Sequence, residues 1–241
     1  SDLYALYRDS YSDENTGHVG GVAVITKNNK TYAFLPGSSG KIDRYILKST
    51  DPADQENIVT VTPSYPIPAS LMYNQGKIIK IKDPLSLSYS TSKCGTTASI
   101  SFDKDLHSFW LADFDENHKK KICRYELNSS LNGISLKSEY TLPVTKVQGS
   151  AALSNGDLIL STSWGNNPSY FYRWNPETNL IKTISKGPPG YEDVTVSDHG
   201  IIYTVSESGA SYYQKRGNNS DCSSSWSGFF PYVFGIDEND I

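Results

Sequence analysis

The chain has 241 residues, of which 12% are aromatic, including 17 tyrosines, and only 20% are charged. This composition is typical of a protein built from many half-buried strands, and it argues against disorder and long helices. The net charge of −4 without a long basic run argues against nucleic acid as a partner, and no apolar stretch reaches the roughly 20 residues of a membrane span.

A two-strand unit recurs along the chain. Each copy has a short strand of apolar or small residues, a polar turn of Asn, Asp or Gly, and a second strand rich in aromatic and β-branched residues. The copies lie, in chain order, at 20–34, 69–79, 98–111, 149–161 and 194–204, with turn centres at residues 29, 76, 104, 156 and 200. The mean step of about 43 residues between turns is typical of β-propeller blades.

Twenty segments have the period-2 pattern of strands, which is enough for five blades of four. The sequence therefore predicts an all-β fold, a single β-propeller domain over residues 1–241 with five four-stranded blades; six blades with one degenerate copy is the alternative. The step of 28 residues between the turns at 76 and 104 makes the second blade irregular. Segments 3–8 and 229–235 are expected to close the ring together in one blade, with Pro231 on an outermost strand.

The three cysteines leave the compartment open. Cys94 and Cys123 flank one predicted blade and can either form a disulfide or pack as small buried side chains, and an odd count leaves at least one thiol unpaired. The chain begins at Ser1 without a charged and apolar leader, which fits a cytoplasmic protein or one whose signal peptide has been removed. The high Tyr, Ser, Asn and Gly content favours the second interpretation, a secreted or extracellular protein.

Several short motifs resemble those of known propellers. The strand start Gln148-Gly149 is followed by Leu-Ser-Thr-Ser-Trp-Gly at 160–165, and the strand start 189–193, Pro-Gly-Tyr-Glu-Asp, is followed by Glu-Ser-Gly at 207–209. Together with the His-Val-Gly-Gly opening at 18–21, these motifs resemble a group of uncharacterised secreted bacterial β-propeller-like proteins. The resemblance covers about two thirds of the chain; it implies the fold and no particular activity.

The chain is more loosely similar to propellers of the gluconolactonase and strictosidine-synthase type. That similarity implies a calcium ion held near the central channel by a Glu, an Asn and an Asp from different blades. Because the first blade offers no Glu on its opening strand, we expect no cofactor, with calcium as the alternative. The segment 113–117 alternates oxygen-bearing side chains as a calcium loop does, but His118 and Arg124 replace the Gly and Glu of an EF-hand, so a solvated acidic loop is favoured.

One face of the predicted propeller collects the residues suited to binding. Strands in a blade alternate in direction, so the loops after second strands and those leading into first strands emerge together, whereas the hairpin turns on the other face are interpreted as structural connections. The candidate ligand-binding residues on this loop face are His18, Gln148, Trp164, Asn166, Tyr191, Glu192, Asp193 and Glu207. Segments 146–148, 164–167 and 191–193 are expected to meet at its centre. Alternatively, the polar residues bond across the channel and the aromatic ones pack between blades.

The leading functional hypothesis is a monomeric binding propeller whose loop face recognises a glycan or a protein segment. Trp164 and Tyr191 would supply stacking surface, and Gln148, Asn166 and Glu192 would supply hydrogen bonds. The competing hypothesis is a lactonase-like hydrolase that uses Glu192 or Asp193 as a base, with or without a metal ion. A third is a structural or assembly domain. No self-contained catalytic motif decides among them, because the sequence has no Cys-x-x-Cys, His-Glu-x-x-His, phosphate loop or Gly-x-Ser-x-Gly.

Overall fold

The computed structural model describes residues 4–6, 21–37, 40–47, 77–79, 81–95, 97–114, 120–164, 167–187, 189–206 and 233–241. In chain order the strands are β1 (Tyr4–Leu6), β2 (Ala23–Lys27), β3 (Lys30–Pro36), β4 (Lys41–Leu47), β5 (Lys77–Ile79), β6 (Ile81–Ser88), β7 (Thr97–Phe102), β8 (Ser108–Asp113), β9 (Lys121–Leu127), β10 (Ile134–Thr141), β11 (Val147–Ala152), β12 (Leu158–Thr162), β13 (Ser169–Asn175), β14 (Leu180–Gly187), β15 (Tyr191–Val196), β16 (Ile201–Ser206) and β17 (Val233–Asp237). One helical turn, α1 (Thr91–Cys94), precedes β7, and a 3-10 turn, Glu238–Asp240, follows β17.

The strands form a β-propeller that has four blades in the described residues. The antiparallel blades are, in order, β2-β3-β4-β6, β7-β8-β9-β10, β11-β12-β13-β14 and β15-β16-β17. The first strands lie innermost: β11 contacts both β7 and β15, and β7 contacts β2. The fourth blade meets the first where Asp193 approaches Gly21 and Val22. No helix in these ranges is long and apolar enough to cross a membrane.

The prediction of five or six blades is therefore wrong for the described residues, and the second predicted blade is the reason. β4 and β6 pair with each other, Lys41 opposite Ser88 and Ile42 opposite Leu87, so both belong to the first blade. The segment 48–80 is inserted between these paired strands. Its turn at residue 76 has the local pattern of a blade hairpin, yet β5 pairs with β1 in a separate two-stranded parallel sheet.

Ring closure also differs from the prediction. The two terminal segments were expected in one blade, but β1 pairs with β5 whereas β17 pairs with β16 in the fourth blade, Phe234 opposite Thr204. A strand near the carboxyl end therefore completes the fourth blade as its third strand, and the amino-terminal strand belongs to a different sheet. Pro231 lies outside the described residues.

The hairpin turns predicted at residues 29, 104, 156 and 200 lie where the sequence predicts them, and residue 76 lies outside the described residues. Asn28 and Asn29 adopt left-handed φ values of 51° and 58° between β2 and β3, as a two-residue hairpin loop requires. The turns before β12 and β16 place Gly156 at φ 91° and Gly200 at φ 74°. Their backbone N–H groups donate to Leu153 and Ser197, each at 3.0 Å. Local turn chemistry therefore sets the positions of these first hairpins.

The core lies between blades, and neighbouring residues of one strand belong to different cores. In β8, Phe109 and Leu111 pack in the core shared with the first blade, while Trp110 and Ala112 pack in the core shared with the third. In β12, Leu158 and Leu160 face the second blade and Ile159 faces the fourth. This explains why both strands are buried along their whole length.

A disulfide joins Cys94 of α1 to Cys123 of β9, with the Cα atoms 5.7 Å apart. Of the two alternatives that the sequence left open, the structure has the bridge. Because the bond closes a loop of 29 residues, it removes chain entropy from the unfolded state and stabilises the second blade. The third cysteine, Cys222, lies outside the described residues.

Small residues let the innermost strands of the third and fourth blades touch. A Cβ atom on Gly149 of β11 would lie 2.7 Å from Asp193 Cα, 2.7 Å from Val194 N and 2.8 Å from Glu192 O, all of them backbone atoms of β15. On the other side of β11, the Ser150 hydroxyl lies 2.7 Å from that of Ser99 on β7. The axis of the propeller therefore has no room for a larger side chain at residue 149.

Replacing Gly149 with alanine should destabilise the protein strongly, because two backbones would have to move apart. We expect a loss of at least about 2 kcal/mol in the free energy of unfolding, or a fall in Tm of about 4–8 °C for a chain of this size. Gly235→Ala is the matched control, since its Cβ would meet only side-chain atoms at 3.2 Å or more. Thermal unfolding compares the two; an equal effect would contradict the close contact at the axis.

Candidate functional site

Five of the eight candidate ligand-binding residues lie in the described part of the chain: Gln148, Trp164, Tyr191, Glu192 and Asp193. His18, Asn166 and Glu207 lie outside it. Gln148 is on the first strand of the third blade, Trp164 follows its second strand, and the other three begin the first strand of the fourth blade. The geometry of the loop face is built from these residues and their neighbours.

Ser163 is the point at which the predicted segments approach one another. Its backbone N–H donates to Lys146 O at 3.2 Å, and its backbone carbonyl accepts from Gln148 Nε2 at 3.4 Å. Its hydroxyl oxygen accepts from the N–H of Gly190 at 3.1 Å. A single serine, which directly precedes segment 164–167 and which the sequence analysis did not select, therefore connects segment 146–148 to the residue that precedes 191–193.

A pair of aromatic side chains, the exposed Trp164 and the half-buried Phe114, lies beside this junction. The Trp164 side chain is 46% exposed, and its ring lies 5.5 Å from that of Phe114. The Lys146 ammonium lies 3.9 Å from the Trp164 ring centroid and 4.5 Å from that of Phe114, within cation–π range of both. We call Phe114, Lys146 and Trp164 the aromatic rim.

Sequence reasoning missed Phe114, although a signal for it exists. Phe114 follows β8 and Trp164 closely follows β12, so each stands just after the second strand of its blade. Because neighbouring blades repeat the same topology, aromatic residues at these matching positions emerge side by side. Residues 113–117 were instead considered as a calcium loop, and of these only Asp113 and Phe114 are described.

Gln148 and Tyr191 are both buried. Gln148 is 4% exposed and bonds to Ser163 as above. Tyr191 is 5% exposed; its ring lies 5.3 Å from that of Phe171, and burial raises the pKa of its hydroxyl. Tyr191 therefore packs between blades, as the alternative interpretation has it, whereas the hydrogen bond from Gln148 to Ser163 lies within its own blade. Their contribution to ligand binding stays a prediction.

Asp193 lies where the fourth blade meets the first. Its carboxylate oxygen Oδ1 accepts from Val194 N at 2.8 Å, and the Val22 backbone N–H also donates to the carboxylate. Burial and, to a smaller extent, the negative charge of Glu192 together raise the pKa of Asp193 to about 7, outweighing the two backbone donors, which lower it. A half-protonated carboxyl group at neutral pH is suited to proton transfer.

The rim and the Asp193 carboxyl offer different chemistry. The rim presents a stacking surface with a cation, whereas Asp193 provides a carboxyl group whose pKa is raised in part by the charge of the neighbouring Glu192. In the described part of the chain, no three His, Cys, Asp or Glu side chains are grouped closely enough to hold a metal ion.

Comparison with known proteins shows similarity in structure only. No family model matches the sequence, and no curated protein matches it. A luciferin-regenerating enzyme matches with a TM-score of 0.49 at 10% identity, over 95% of this chain and 64% of that one. The periplasmic gluconolactonase of Pseudomonas aeruginosa matches with a TM-score of 0.44 at 10% identity, over 84% and 53%.

A putative 6-phosphogluconolactonase from Bacteroides uniformis matches with a TM-score of 0.39 at 14% identity, over 84% of this chain and 51% of that one. Lactonase-type propellers are thus among the structures that this chain resembles. The chain spans about half to two thirds of the length of these structures.

Replacing Asp193 with asparagine should stabilise the protein in a pH-dependent way. The native pKa of about 7 lies above the ordinary value of 3.8, so the folded state binds more protons than the unfolded state between these values. The free energy of unfolding of the parent protein therefore falls as the pH rises through this window, and the asparagine variant avoids that loss. The increase in the free energy of unfolding of the variant over the parent should appear above about pH 4 and be complete above about pH 7.

Denaturant unfolding at a series of pH values measures this gain. Asp198→Asn, which removes a carboxylate at an exposed position in a turn of the same blade, is the matched control. A gain that is independent of pH, or a variant less stable than the parent at about pH 8, would contradict the burial of a charge at Asp193.

Proposed function

We propose that the protein is a binding propeller that recognises a glycan at the aromatic rim. The observation that carries the proposal is the 46% exposure of Trp164 beside Phe114 and Lys146. Trp110 and Trp174 are buried in the interblade core, whereas Trp164 is exposed on the loop face, so its exposure needs an explanation other than core packing. Exposed aromatic rings stack on the apolar faces of sugar rings while neighbouring polar groups bind the hydroxyls.

The rim is held in place by its surroundings. Lys146 spans both rings, and the side-chain amide of Asn167 donates to the Trp164 carbonyl at 3.2 Å. A preorganised surface loses little conformational entropy when a ligand binds. Such a rim supports recognition of a flat sugar face better than capture of a flexible peptide. We therefore propose a glycan as the ligand, and the experiment below distinguishes it from a protein segment.

The disulfide between Cys94 and Cys123 supports a location outside the reducing cytoplasm. Disulfides persist in oxidising compartments and are rare in cytosolic proteins. A glycan-binding protein with a structural disulfide is most useful where glycans are displayed, at the cell surface or beyond it. We therefore propose that the protein acts as a secreted or extracellular monomer.

Hydrolysis is a second candidate function, and the Asp193 carboxyl group favours it. A group with a pKa of about 7 next to a second carboxylate, Glu192, has the properties of a general acid or base at neutral pH. In this alternative the two carboxyl groups act on a lactone or glycoside that enters from the loop face. The two candidate functions use different residues and can be separated.

Removing the Trp164 side chain should abolish glycan recognition and leave the fold intact. The parent protein and Trp164→Ala are compared on a glycan array, and the glycans retained by the parent are titrated by calorimetry. Loss of the stacking surface should weaken binding at least about tenfold, or about 1.4 kcal/mol. Leu180→Ala removes another exposed apolar side chain of the same blade, 71% exposed and outside the rim, and is the matched control.

If Trp164→Ala folds and binds the same glycans as tightly as the parent, the rim is not the site. If the array retains nothing but the rim captures peptides from a displayed library, the ligand is a protein segment and the glycan proposal fails. Circular dichroism and thermal unfolding establish that the variant is folded.

The binding proposal also predicts indifference to chelation and the absence of catalytic turnover. Elemental analysis, thermal unfolding in EDTA and assays on lactones and glycosides should show no metal-dependent stability and no turnover. A stoichiometric divalent ion whose removal lowers both Tm and ligand affinity would favour the hydrolase. So would turnover that Glu192→Gln or Asp193→Asn abolishes, while the rim variant Trp164→Ala retains it.

A further inference from the structure

A cavity of about 240 Å³ lies between the second and third blades, on the face opposite the aromatic rim. The turns that precede β8 and β12 and the turn after β13 surround it, whereas the rim lies at the other ends of β8 and β12. Its lining includes Asp103, Trp110, Arg124, Tyr140, Asp157 and Glu177. We call it the interblade cavity.

Two buried donors in its lining have no acceptor among the described residues. Trp110 is only 2% exposed, and its indole Nε1–H makes no hydrogen bond there. The same holds for the buried Nε–H of Arg124, whose guanidinium Cζ lies 5.7 Å from the Trp110 ring centroid. Buried N–H groups are almost always satisfied in native proteins, so two neighbouring exceptions beside one cavity point to a bound acceptor.

Acceptors in the cavity wall are fixed in position. An ion pair holds Asp103 against Arg124, and Arg173 Nε donates to Asp157 Oδ2 at 2.7 Å. Asn175 Nδ2 donates to the other oxygen of Asp157 at 2.7 Å. Carboxylates held in this way keep lone pairs available for a ligand without rearrangement, and such preorganisation favours binding.

The charges around the cavity nearly cancel. Arg124 pairs with both Asp103 and Asp105, Arg173 pairs with Asp157, and Lys104 and Glu177 have opposite signs, which leaves one net negative charge. This charge disfavours an anionic ligand, and a cationic ligand would gain little because Asp103, Asp105 and Asp157 are already paired with arginines. Hydroxyl groups suit this lining because each can accept from an indole or guanidinium N–H and donate to a carboxylate.

The size of the cavity limits the ligand. At about 240 Å³ it is smaller than the roughly 300–1,000 Å³ of pockets for drug-sized molecules. Tyr140 and Trp110, with ring centroids 5.9 Å apart, add an aromatic wall against which an apolar ring face can lie. We propose that the interblade cavity binds one neutral polyhydroxylated ring, a monosaccharide or cyclic polyol, whose oxygens accept from Trp110 Nε1 and Arg124 Nε.

This site is separate from the glycan surface proposed for the rim, since it lies on the other face and shares no residue with it.

The test therefore follows each tryptophan individually. In ¹⁵N-labelled protein, the indole N–H signals of Trp110 and Trp164 are assigned with Trp110→Phe and Trp164→Phe. The probes are glucose, galactose, mannose and myo-inositol, with glucuronate and glucosamine as charged analogues.

We expect at least one neutral probe to shift the Trp110 indole signal saturably, with little effect on that of Trp164. Trp110→Phe keeps an aromatic ring against Trp174 and Tyr140 but removes the donor, and it should weaken binding roughly tenfold. Leu180→Ala should bind as the parent does. An intermolecular nuclear Overhauser effect between sugar C–H protons and the Trp110 indole proton gives a readout in the parent protein, independent of how well the variant folds.

Three results would overturn the proposal. The first is that no probe shifts the Trp110 signal at tens of millimolar, which is the behaviour of a cavity that holds only water. The second is that the charged analogues bind as tightly as the neutral probes, which would show that the lining does not select a neutral ligand. A saturable shift without the intermolecular effect would place the sugar elsewhere.

Discussion

The structure depends on the burial of both faces of the central strands. In β8, alternate residues serve two different cores: Phe109 and Leu111 pack towards the first blade, and Trp110 and Ala112 towards the third. A shift of one residue in the pairing of β8 would exchange these sets and place Trp110 in a core already filled by Phe34 and Tyr125. The fit between blades therefore fixes the register of each blade, and the blades stabilise one another rather than folding as independent sheets.

Close contact at the axis is a second consequence of the same packing. Among the described blades, the innermost strands lie so near one another that only glycine fits at residue 149, and the hydroxyl groups of Ser99 and Ser150 bond directly across the neighbouring contact. The Asp193 carboxyl group is held in the same crowded region, and burial there raises its pKa. The property that makes Asp193 chemically interesting thus has a structural cause, and it arises whether or not the carboxyl group takes part in a reaction.

Local features of the fold could be read from the sequence, whereas non-local ones could not. The pairs Asn28-Asn29 and Asn155-Gly156 predict hairpins, because the preference of Asn and Gly for turn conformations is a property of the residues themselves. The blade count depended on β4 pairing with β6 across 33 intervening residues, and no local pattern distinguishes that insertion from an irregular blade. At the candidate site, strand direction predicts that 146–148 and 164–167 approach each other, and in the described residues Lys146 lies against Trp164. The burial of Gln148 and Tyr191 could not be predicted, because it depends on how closely adjacent blades pack.

The two proposed sites are connected through one interblade core. Trp110, Leu158 and Trp174 fill the space between the second and third blades, and the rim and the interblade cavity lie beyond its two ends. Each site also places a cation against an aromatic ring, Lys146 on Trp164 and Arg124 on Trp110. A core substitution such as Leu158→Ala would loosen both ends together, so loss of binding at either would not identify a contact residue. Only substitutions in the rim or in the lining of the interblade cavity, at the two ends of this core, can separate the function of one site from the stability of the structure that supports both.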